Sequence, residues 1–159
     1  MNRRNAMLWT TLALLALADR GVAQTTEHAD HVMGFSHEKT THHFRLYADG
    51  GSIEVTANDA ADTESRDQIQ MHLGHIAGMF AAGDFQAPML VHDRVPPGTV
   101  VLQRLKGEVS YRFEKLPKGG RIQIVTANAE ALKALHEFLR FQITDHKTGD
   151  SLELTTVRR

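Results

Sequence analysis

Two stretches of this chain repeat one another, and a unit too small to bury its own apolar face must pack it against a copy. In the first stretch residues 41–47 alternate, with His42, Phe44 and Leu46 on one side and His43, Arg45 and Tyr47 on the other. That is the period of a half-buried strand. Asp49-Gly50-Gly51 marks a hairpin turn with residues that accept positive φ, and Ile53 and Val55 alternate on the way back. Ile69, Leu73, Ile76 and Phe80 then fall four, three and four apart, the spacing of one helix face. In the second stretch Val109, Tyr111 and Phe113 alternate, Pro117-Lys118-Gly119-Gly120 turns the chain, and Ile122 and Ile124 alternate on the return. Leu132, His136, Leu139 and Ile143 repeat the four, three, four spacing, placing His136 where the first copy has Leu73.

These patterns predict an α+β fold: a two-layer sandwich from a duplicated ββα unit, with a four-stranded, mainly antiparallel sheet and two helices on one face. The single domain spans residues 40–148, followed by a C-terminal tail over 149–159. Residues 84–98, with Pro88, Pro96 and Pro97, read as an irregular connector, and 99–106 as a short helix. The sheet face away from the helices would show His43, Arg45, Tyr47, Glu54, Ser110, Arg112 and Gln123, polar enough for water or for a homodimer contact.

Residues 1–23 have the three parts of a cleavable export signal: Arg3 and Arg4, an apolar run, and small residues at Gly21-Val22-Ala23. The run is about 12 residues, short of the roughly 20 that a membrane span needs, so the expected location is periplasmic or secreted with no membrane anchor after cleavage. The arginine pair leaves the general and twin-arginine routes both open. Residues 24–39 read as a flexible leader. Without residues 1–23, the balance of 18 basic against 19 acidic residues becomes 15 against 18, which does not favour nucleic acid. There is no cysteine, so neither disulfides nor thiolate metal ligands are available.

All ten histidines follow the export signal. His72 and His75, three apart on the first helix, border its apolar stripe, and His42 lies on the helix-facing side of the first strand. Neutral imidazoles suit copper or zinc, so the expected metal site is His42, His72 and His75, with His43 and His92 as further candidates. Met71, Met79 and Met89 would tilt such a site to copper, or simply fill core. His136 reads as a packed, hydrogen-bonded side chain, and His146 as a partner of the helix dipole. The competing readings are structural histidines, a non-catalytic binding or dimerising domain using the open sheet face, and a small metal- or haem-dependent enzyme. The sequence contains no phosphate loop, no nucleophile elbow and no His-Glu-x-x-His.

The runs Met33-Gly34-Phe35, Lys39-Thr40-Thr41-His42-His43-Phe44, Arg66-Asp67-Gln68-Ile69, His72-Leu73-Gly74-His75-Ile76, Gly83-Asp84-Phe85, Val91-His92-Asp93 and His136-Glu137-Phe138-Leu139-Arg140-Phe141-Gln142-Ile143 resemble a family of small exported bacterial proteins. That resemblance implies export and no established activity. Some relatives carry the label aspartate carbamoyltransferase. That enzyme is built of two α/β domains with a phosphate-binding Ser-Thr-Arg-Thr segment, and this chain has neither.

Overall fold

The computed structural model describes residues 33–156. The export signal, the leader up to residue 32 and residues 157–159 lie outside the described residues. The order is β1 (Thr40–Tyr47), β2 (Gly50–Ala57), α1 (Thr63–Ala81), α2 (Gln86–His92), α3 (Thr99–Arg104), β3 (Val109–Leu116), β4 (Gly119–Thr126) and α4 (Ala129–Asp145). The four strands form one antiparallel sheet in the order β1-β2-β4-β3. The duplicated ββα architecture expected from the sequence is present, with the two inner strands contributed by the second strand of each hairpin.

Close approach between those inner strands explains the first glycine of each pair. Each hairpin turns through two residues, Ala48-Asp49 and Pro117-Lys118, so the glycines lie beyond the turn. A Cβ at Gly50 would stand 1.9 Å from the Ile124 carbonyl oxygen, and one at Gly119 2.1 Å from that of Val55. Backbone crowding, and not positive φ at the turn, is therefore what selects glycine at these two positions.

Asp62 caps α1 through the Ser65 N–H, and Asn128 caps α4 through the Glu130 and Ala131 N–H groups. Both helices cover the same sheet face, but each lies on the hairpin of the other repeat: α1 on β3 and β4, α4 chiefly on β1 and β2. Counted from the two caps, Ile69 matches Leu135, Leu73 matches Leu139, and Ile76 matches Gln142. This phase corrects the alignment of His136 with Leu73. His136 instead matches Gln70, and both do the same work: Gln70 Nε2 donates to Leu116 O at 3.2 Å, and His136 Nε2 lies 3.0 Å from Tyr47 O, the equivalent carbonyl, and from Gly50 O. The shared core beneath the helices includes Leu46, Ile69, Ile122, Ile124, Leu135, Phe138 and Leu139, none more than 2% exposed.

Three segments depart from expectation. The connector contains α2, because Pro88 stands in its first turn, where a missing N–H breaks no helical bond. The end of the leader is not free: Met33 and Phe35 are buried against the domain, followed by a 3₁₀ turn at His37–Lys39. Residues 150–155 run along the outer edge of β1, where Asp150 accepts the Phe44 N–H at 3.0 Å and Thr155 N–H donates to Leu46 O at 2.7 Å. This covers an edge strand otherwise open to pairing.

The open sheet face carries a charge network in which Glu54 accepts from Arg121 at 2.7 and 2.9 Å and lies 3.5 Å from Arg45. Among the described residues no helix is long and apolar enough to cross a membrane.

A histidine-lined cleft as the candidate functional site

A cleft of about 80 Å³ lies among β1, β2, α1 and α4, bordered also by α2 and by Met33 and Phe35. Its walls are Phe44, Ile53, Val55, Leu73, Ile76, Phe80 and Phe138, and into this apolar lining project His42 from β1, His72 from α1, His92 from α2 and His146 from the end of α4. The volume holds a few water molecules or an ion. It is well under the roughly 300 Å³ at which pockets for larger organic ligands begin.

The rings form a contiguous group. His42 and His146 stack with centroids 5.5 Å apart, and His92 meets His146 edge-on at 5.0 Å. Phe35 lies between His42, at 5.9 Å, and His72, at 5.4 Å. Burial pushes His42 down to about 3 and both His72 and His146 to about 4, with neighbouring imidazoles adding to the effect. At neutral pH these three rings are uncharged and keep a free lone pair. Among the described residues none of the three makes a side-chain hydrogen bond.

His92 is held differently. Its Nδ1–H donates to Asp145 at 2.5 Å, Asp145 is in turn gripped by Arg94, and Nε2 faces Gln142 Oε1 at 3.0 Å. Although burial opposes it, the bonds from His92 and Arg94 hold the Asp145 carboxyl below its usual range, so it remains an acceptor. A carboxylate on one ring nitrogen fixes the tautomer, as in many histidine metal ligands, and the other nitrogen rests against the Gln142 amide. The Gln142 Nε2 is buried in the same wall without a partner among the described residues.

Of the five residues nominated from sequence, His42, His72 and His92 line this cleft. His75 does not: it is exposed on the outer side of α1. His43 points to the opposite sheet face, where its Nδ1 lies 2.8 Å from Asp150. The expected triad of His42, His72 and His75 is thus not assembled: positions three apart on a helix are offset by about 60° around its axis, and with His72 at the edge of the cleft that offset carries His75 to the solvent side. Among the described residues no three His, Asp or Glu side chains stand in the arrangement of a formed metal site. His146 was missed as a site residue. Counting each helix from its cap would have exposed it, since it falls opposite Phe80 of the first repeat.

That correspondence distinguishes the site from ordinary core. The repeat matches His42 with Tyr111, His146 with Phe80 and His72 with Phe138. In the second half Phe80 packs on Tyr111 at 5.7 Å and on Phe138 at 5.9 Å. The same architectural places are filled by aromatics in one half and by imidazoles in the other, so the fold itself does not demand histidine there.

Fold and cleft together define a class: a duplicated α+β sandwich with an imidazole-lined cleft in one half. Comparison with models of protein families, with curated proteins and with solved structures finds no match for the chain.

Proposed function

We propose that this is an exported protein that binds one transition-metal ion, copper or zinc, through the imidazoles of the cleft, with His42, His92 and His146 as ligands and His72 beside them. The observation that carries the reading is the substitution of neutral, hydrogen-bond-free histidines for aromatic core residues in only one of two equivalent halves. Neutral imidazoles are the protonation state a borderline metal requires. Side-chain rotations bring the nitrogens inward on binding, as the contiguous rings and the space between them permit. The N-terminal residues 1–23 support placement outside the cytoplasm, with this export signal cleaved off.

The test uses protein purified from cells expressing the full chain, stripped with chelator and titrated with Cu(II) and Zn(II) by calorimetry. The expected result is one ion per chain with a dissociation constant below about 1 μM, or about −8 kcal/mol. The double change His42→Tyr, His146→Phe installs the residues that the other half uses and should keep the fold while abolishing binding. Unchanged affinity in that variant would rule the cleft out as the site.

A further inference from the structure

The cleft also carries information about which ion it would hold. Among the described residues no carboxylate lines it; Asp145 reaches it only through His92. A divalent ion would therefore enter apolar surroundings with no anionic ligand to offset its charge. The penalty of placing an ion in such a medium grows with the square of its charge, so a monovalent ion costs about a quarter as much. Among the described residues one soft donor is present: Met33, 7% exposed, stands in the wall of the same cavity. The methionines nominated from sequence are elsewhere, with Met71 74% and Met89 37% exposed and Met79 packed on the core. Thioether sulfur favours monovalent copper over zinc, and the methionine chain, with three rotatable bonds, can swing to meet an ion.

We propose, resting on the imidazole-site reading above, that the resident ion is monovalent copper, with the Met33 thioether completing a shell of His42, His92 and His146. Met33 would then be both a ligand and part of the border of the cleft, which ties the segment leading into β1 to metal occupancy.

The experiment is an anaerobic competition titration of Cu(I) against a chromophoric cuprous chelator, alongside Zn(II) titration and copper X-ray absorption, on wild type, Met33→Leu and His42→Tyr/His146→Phe. Wild type should take one Cu(I) per chain, bind it more tightly than Zn(II), and show a sulfur scatterer. Met33→Leu, which nearly conserves volume, should lose the sulfur signal and weaken Cu(I) by roughly 100-fold, since even groups one step removed from a metal are worth about 10- to 100-fold. Its Zn(II) affinity should not change. Zn(II) bound as tightly as Cu(I), or a nitrogen-only copper shell in wild type, would overturn the copper assignment while leaving an imidazole site. Failure of every ion to bind, or binding that survives His42→Tyr/His146→Phe, would overturn both.

Discussion

Replacing His146 by Phe should make the metal-free protein markedly more resistant to acid. In the folded chain burial holds His42 near 3 and His72 and His146 near 4, whereas in the unfolded chain each takes up a proton below about 6.5. The unfolded state thus binds more protons throughout that interval, and stability falls as pH falls. The contribution is complete above the unfolded value and is lost on descent toward the folded one. Each group costs about 1.4 kcal/mol per pH unit, or about 2 kcal/mol between neutrality and about pH 5. Three such histidines remove about 6 kcal/mol, comparable to the whole stability of a small domain, so the wild type should unfold on mild acidification. His146→Phe deletes one of the three and relieves His42, whose depression owes its second-largest part to His146. The ring replaces like with like, as Phe80 occupies the matching place. Urea unfolding followed by far-ultraviolet circular dichroism, in chelator, at about pH 7 and about pH 5 measures the difference. The variant should lose about 2 kcal/mol less than wild type over that range, and the double change His42→Tyr/His146→Phe about 4 kcal/mol less. A wild type equally stable at both values, or a variant with the same pH dependence, would refute the claim that these imidazoles are buried and neutral.

Two other outcomes follow from contacts distant from the cleft. His136→Ala should cost about 1–3 kcal/mol by removing the hydrogen bond from the ring to the Tyr47 and Gly50 carbonyls, while His136→Gln, copying Gln70, should restore most of it, as read by thermal melts. Asp150→Ala should cost about 1.5–3 kcal/mol and expose the β1 edge to faster amide exchange at Phe44. Burial opposes ionisation of Asp150, yet the Phe44 N–H, Thr148 and His43 hold its carboxyl below the usual range, so this contribution is present near neutrality and fades as pH drops through the depressed value.

Periodicity was enough for the strands, the two long helices and the duplication, because one-sided burial imposes period 2 on a strand and 3.6 on a helix wherever it occurs. It also placed His42 and His43 on opposite sheet faces. It could not set the phase of α4. His136 and Leu132 continued an apolar spacing by chance, while the buried row is Leu135, Leu139 and Gln142, set by a cap whose partner N–H groups are local but whose loop is shorter than in the first repeat. Nor did the prolines of residues 84–98 forbid a helix, since only a proline beyond the first turn does so.

The sequence by itself determined the duplicated α+β class, the absence of thiol chemistry and the enrichment in imidazoles. Only the tertiary structure decided which imidazoles meet. Each helix crosses to the hairpin of the other repeat, so His146 arrives beside His42 across more than a hundred residues, His92 is brought over them by an unexpected helix, and His75 is turned to solvent. Contacts of that range arise from packing two copies against each other, and packing leaves no periodic trace along the chain.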